Sequence, residues 1–94
     1  MNKEPVTDSS GNVFADLGFS AEESTLLAMR AELMALLRDT IKQRGWTQQE
    51  AAEKLGIGQS RVSDLMRGKW EKFSLGMLII LTTRTGQRVG LVVG

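Results

Sequence analysis

The sequence predicts a mainly α-helical fold, and three observations predict it. Apolar residues recur at three- and four-residue steps in three stretches: Ser20 to Gly45, Thr47 to Gly68, and Ser74 to Gly86. Residues that start and stop helices bracket each stretch. Only one segment, Gln87 to Val93, alternates in the manner of a strand.

Residues 1–12 are polar, hold the only proline (Pro5) and have no period, so they read as a flexible N-terminal tail. A single domain is expected over 13–94. Val13, Phe14, Leu17 and Phe19 make a short apolar patch around Gly18, expected to fold back on the core. Ser20 with Glu23 spells a capping box that opens a long helix ending near Gly45. Its apolar positions are Leu26, Met29, Leu33, Leu36, Leu37 and Ile41. Leu27 and Met34 widen that stripe, and either a core on two sides or a partner surface accounts for the widening.

Residues 47–68 carry the most information. Thr47 and Glu50 spell a second capping box, with Trp46 placed to staple the entry over Ala51. Ala51 and Ala52 are small enough for another helix to cross closely. Leu55 points at the core, and Gly56 suits the left-handed residue that ends a helix. Ile57 buries the turn and Gly58 opens the next helix, where Ser or Thr would cap better. Val62, Leu65 and Met66 form one apolar stripe. Ser60, Asp64 and Arg67 then point most nearly outward, with Gln59, Arg61 and Ser63 on the flanks. Two short helices joined by a tight turn are the sequence form of a helix-turn-helix, which seats a helix in the major groove of DNA. Plain scaffold in a small helical protein is the alternative.

After Gly68 the chain runs Lys69-Trp70-Glu71-Lys72-Phe73. Ser74 caps a last helix with Leu75, Leu78, Ile79 and Leu81 as its apolar face; Met77 and Ile80 broaden it. Thr85 and Gly86 end it. In 87–93, Val89, Leu91 and Val93 alternate with Arg88, Gly90 and Val92. A lone strand cannot satisfy its backbone. It either pairs with the same strand of a second copy across a two-fold axis or frays as a tail.

Ninety-four residues make one domain with a core near the low end of what folds alone. No apolar run approaches a membrane span and no leader opens the chain, so a cytoplasmic location is expected. Cysteine and histidine are both absent, which removes thiolate chemistry and the commonest general base and metal ligand. No nucleophile motif surrounds the remaining Ser, Thr and Lys, so no enzyme and no cofactor are expected. Net charge is only +1, but residues 1–37 carry Lys3 and Arg30 against six acidic side chains. Residues 38–72 carry eight basic side chains against five acidic ones, and 73–94 add Arg84 and Arg88. The positive charge gathers around 47–68, where phosphates would lie, although a mixed solvated surface also accommodates it.

The ordered set Thr47, Gln48, Ala52, Leu55, Gly56, Ile57, Gln59, Val62, Ser63, Leu65 and Gly68 resembles the XRE (Cro/phage-repressor-like) helix-turn-helix family. The chain departs from that pattern at Gly58, usually Ser or Thr, and at Ala51, often Leu. Val13, Phe14, Leu17 and Gly18, then Gly68, Lys69, Phe73, Ser74 and Leu75, then Gly86, Gln87, Val89, Leu91 and Val92 extend the likeness. They are similar to one branch of the family, which contains HigA-like antitoxins, over about residues 12–93. The resemblance implies a five-helix, lambda-repressor-like DNA-binding domain with a C-terminal β-strand that pairs across a homodimer. It implies a transcriptional regulator, a dimeric repressor on a palindromic operator. The alternative is an antitoxin that neutralises a small ribonuclease toxin and represses its own operon. The acidic side chains Asp16, Glu22, Glu23 and Glu32 would suit such a basic toxin, and a solvated face explains them equally.

The expected partner is double-stranded DNA, read by the N-terminal end of the second motif helix. Gln59 and Ser60 are the first candidates for base edges, with Ser63 beside them. Glutamine pairs bidentately with adenine and arginine with guanine, so Arg61 either reads guanine or reaches a phosphate. Asp64 either accepts from a cytosine amine or repels wrong sequences. Gln48 resembles the family glutamine that holds a phosphate and braces Gln59. Arg44, Thr47, Arg67, Lys69 and Lys72 complete the phosphate set, which positions the protein and makes affinity fall with salt.

Overall fold

The computed structural model describes residues 17–94. The expected tail over 1–12, Val13, Phe14 and Asp16 lie outside the described residues. Leu17, expected to fold back on the core, is 71% exposed, and Phe19 is half-buried.

Helix α1 (Ala21–Gln43) begins at Ser20. The Ser20 hydroxyl accepts from the Glu23 N–H at 3.1 Å, and the Glu23 carboxylate accepts from the Ser20 N–H at 3.0 Å. That backbone N–H, followed by the Ser20 hydroxyl, holds the Glu23 carboxyl below its ordinary range. The helix stops at Arg44, and Gly45 turns the chain at φ 67°. Helix α2 (Gln48–Leu55) repeats the device: Thr47 accepts from the Glu50 N–H at 3.1 Å and Glu50 accepts from the Thr47 N–H at 2.8 Å. It ends at Gly56, φ 71°, whose N–H reaches the Ala52 carbonyl. Helix α3 (Gln59–Met66) follows Gly58, which offers no side-chain cap. One 3-10 turn (Trp70–Lys72) leads to helix α4 (Leu75–Arg84), capped by the Ser74 hydroxyl on the Met77 N–H.

One apolar core joins all four helices. Met34, Leu37 and Ile41 of α1 meet Ala51, Ala52 and Leu55 of α2, Val62 and Leu65 of α3, and Leu78 and Leu81 of α4. Phe73, from the link between the 3-10 turn and α4, is 1% exposed in the middle of this set. Trp46 and Ile57 are half-buried and pack against it.

The expected register of α1 needs correction. Leu27 and Met34, taken as widening the stripe, lie in the buried row with Leu37 and Ile41, while Leu26 and Leu36 stand 49% and 40% exposed. Both rows are apolar at helical spacing, so periodicity alone does not separate them; the motif packs on the Met34–Leu37–Ile41 side and decides. On α4, Thr82 and Thr85 are buried and Ile80 is 46% exposed. Those threonines need no distant partner, because the Thr82 hydroxyl donates to the Leu78 carbonyl and the Thr85 hydroxyl to the Thr82 carbonyl.

Four α-helices and one 3-10 turn are found among the described residues, with no strand. Residues 87–93, expected to form a strand, leave α4 without regular structure, because a strand is a pairing and the other described residues supply no partner. The departure point is anchored. Gln87 Nε2 donates to the Thr40 hydroxyl at 2.8 Å and to the Thr85 hydroxyl at 3.0 Å. Beyond it, Leu91, Val92 and Val93 are 79%, 95% and 84% exposed.

Candidate nucleic-acid interface

The motif helices are held from behind. Ala51 is fully buried and Ala52 nearly so, which brings α2 close to α3, and Val62 and Leu65 seat α3 on the core. An open groove remains between the two helices, lined by Gln49, Ala52, Glu53, Gly56, Ile57, Gly58 and Gln59. Gln59 and Ser60 stand exposed at the N-terminal end of α3. Gly58 gives that end no side-chain cap, so the first N–H groups there stay open to an acceptor.

The other expected base contacts are placed differently. Ser63 is half-buried. Asp64 has a side chain only 16% exposed and lies 3.9 Å from the Lys69 ammonium. Arg61 turns away from the open end: its Nη2 donates to the Lys72 carbonyl at 3.0 Å, and its guanidinium lies 4.9 Å from the Phe73 ring centroid.

Among the expected phosphate contacts, Arg67 and Lys72 are exposed, and Lys69 is half-buried and shared with Asp64. Thr47 and Gln48 are exposed at the start of α2. The Thr47 oxygen accepts from Glu50, which leaves its hydroxyl proton to donate. No hydrogen bond joins Gln48 to Gln59 among the described residues. Arg44 is exposed but partly committed: its Nη1 donates to the Thr85 carbonyl at 2.7 Å and its guanidinium stacks 5.3 Å from the Trp46 centroid. Arg88 to Val93, expected as a dimer strand, are exposed and remote from these contacts in sequence.

Two arginines that sequence reasoning counted only as charge shape the motif. Arg84 Nη1 donates to the Leu55 carbonyl at 2.7 Å, closing the C-terminal end of α2. Arg38 lies against Gly68; a Cβ there would stand 3.2 Å from its Nη1. A cation beside a helix C-terminus faces unpaired carbonyls and the negative end of the dipole, which gives each a local reason. The available signal was a lone arginine at a helix end, too common to name a partner.

Among the described residues, no helix is long and apolar enough to cross a membrane. No curated protein matches the chain. Residues 13–94 match the helix-turn-helix domain family, and the match takes in every described helix as well as the motif. The paired helices, the glycine turn between them and this match over most of the chain show that the protein belongs to the helix-turn-helix domain family, a DNA-binding one.

Proposed function

We propose that the protein is a sequence-specific transcriptional regulator, a repressor that binds a palindromic operator as a homodimer. One observation carries the reading: α3 presents Gln59 and Ser60 at an exposed, uncapped N-terminal end on a motif whose other side is fixed in the core. That end enters the major groove. Gln59 reads a base edge, adenine being the base that suits its amide, with Ser60 beside it. Thr47 and Gln48 at the start of α2, with Arg67, Lys69 and Lys72 after α3, meet the flanking phosphates. Asp64 restrains Lys69 and repels backbone that approaches out of register. Repression follows from occupying the site against polymerase.

The dimer uses residues 87–93. Gln87 fixes where the segment leaves the fold, and Leu91, Val92 and Val93 beyond it are exposed. Pairing with the same segment of a second copy satisfies both backbones and covers those side chains. Half-sites then fall about one helical turn apart, roughly 34 Å.

Selection of bound sequences from a randomised duplex pool at two salt concentrations tests this. The expected result is an enriched palindrome whose affinity falls linearly with the logarithm of salt. Recovery of no motif, with binding that vanishes as salt rises, contradicts sequence-specific reading.

A further inference from the structure

We infer that Arg61 is a positioning residue, which locks the basic segment after the motif onto the recognition helix and acts on DNA through Lys72. The inference rests on the DNA-binding reading above and assigns a division of labour within it. Arg61 sits in the first turn of α3, among residues suited to base contact. Its guanidinium does not point out with them. Nη2 donates to the Lys72 carbonyl at 3.0 Å, and the carbon of the guanidinium lies 4.9 Å from the Phe73 centroid. Nε is buried with no hydrogen-bond partner.

These commitments oppose guanine reading. A guanidinium reads guanine with two parallel donors. Its end-on fork uses Nη1 and Nη2, and its side-on fork uses Nε and Nη2. The side-on fork needs Nε, which is buried, and the Lys72 carbonyl already takes one of the two Nη2 hydrogens.

The same commitments build a brace. Trp70–Lys72 is a single 3-10 turn, too short to fix its own orientation. Phe73 pins its far end in the core. At the near end, Lys69 N–H bonds to the Asp64 carbonyl and its ammonium faces the Asp64 carboxylate. Arg61 ties the Lys72 carbonyl to the start of α3. The segment is thereby held to α3 at two places, Asp64 and Arg61, one turn apart on the helix. Lys72 is left exposed on a backbone that moves with the base-reading end.

The test is a double-mutant cycle on the duplex that the wild-type protein enriches from a randomised pool, with the single-base variants of that duplex alongside. Arg61→Ala is expected to weaken binding several-fold, by the same factor on every variant. Lys72→Ala is expected to weaken binding comparably and lower the salt slope by about 1.8, the share of one phosphate for each protomer of the dimer. The double variant should bind markedly better than the product of the two losses predicts. A changed base preference at one position in Arg61→Ala would overturn the assignment, as would losses that simply multiply. Should Arg61→Ala fail to fold, Phe73→Leu removes the ring under the guanidinium while keeping an apolar core, and the same coupling to Lys72 is required. Amide exchange without DNA supplies a separate arm. Exchange at Lys72 and Phe73 should quicken in Arg61→Ala while Val62 and Leu65 stay protected; unchanged exchange would overturn the brace. A wild-type protein that enriches no duplex refutes the DNA reading, and the exchange arm then decides the brace by itself.

Discussion

Arg84 donates from Nη1 to the carbonyl of Leu55 at 2.7 Å, across 29 residues of sequence. The last helix thus closes the C-terminal end of the first motif helix, one residue before the turn that aims α3. Replacing Arg84 with Ala removes a charged donor from a part-buried carbonyl and should cost about 1.5 kcal/mol. Thermal unfolding of the two proteins measures it; equal midpoints would show the bond contributes nothing.

Gly56 is coupled to that bond. Its φ of 71° strains any other residue by about 1–2 kcal/mol. A Cβ would also stand 3.1 Å from Arg84 Nη1, so the guanidinium must give by a few tenths of an ångström, which disturbs its bond to Leu55. Gly56→Ala should therefore destabilise the wild type more than the Arg84→Ala protein. Equal costs in both backgrounds would deny the coupling.

Glu23 gives a pH dependence. Its folded pKa lies below the ordinary value, chiefly through the Ser20 N–H. A depressed carboxylate contributes stability that is present above its unfolded pKa and is lost as pH falls through the folded one. Glu23→Gln keeps an acceptor at the cap but no charge. The wild type should exceed it in unfolding midpoint at neutral pH, and the gap should close through the acidic carboxylate range. A gap that is constant with pH would contradict the assignment.

Asp64 and Lys69 offer a test by salt. Asp64→Asn releases Lys69 and removes a carboxylate from the DNA side, so affinity for any duplex should rise. Lys69→Ala should lower affinity evenly over operator variants and reduce the salt slope by about 1.8, one phosphate for each protomer. Binding measured by anisotropy over a salt series reports both, and an unchanged slope removes Lys69 from the phosphate set.

Much of this structure was legible because its rules are local. Ser20 with Glu23 and Thr47 with Glu50 are read three residues apart, and Gly56 answers a requirement of its own backbone. Val62 and Leu65 follow helical spacing. The buried row of α1 was not legible, because Leu26 and Leu36 fit the same spacing as Leu27 and Met34, and only a packed neighbour separates them. The arginines were illegible for another reason. Arg44, Arg61 and Arg84 reach carbonyls 41, 11 and 29 residues away, and long flexible side chains encode no partner in spacing. At the candidate site, the exposed Gln59 and Ser60 were foreseeable from helical geometry. The inward turn of Arg61 depends on where Phe73 lies, which no local pattern states.

Truncation after Gly90 removes Leu91, Val92 and Val93 while keeping the Gln87 anchor. The shortened protein should remain folded and sediment as a monomer at concentrations where the full chain is a dimer. A dimer that survives truncation would move the interface elsewhere.

The central claim is that the N-terminal end of α3 reads bases. Parallel selections from one randomised duplex pool, with the wild-type protein and with Gln59→Ala, test it most directly. The account predicts the same palindrome from both, with preference lost at one symmetry-related base pair in each half-site of the Gln59→Ala motif. Identical motifs from the two proteins would contradict it.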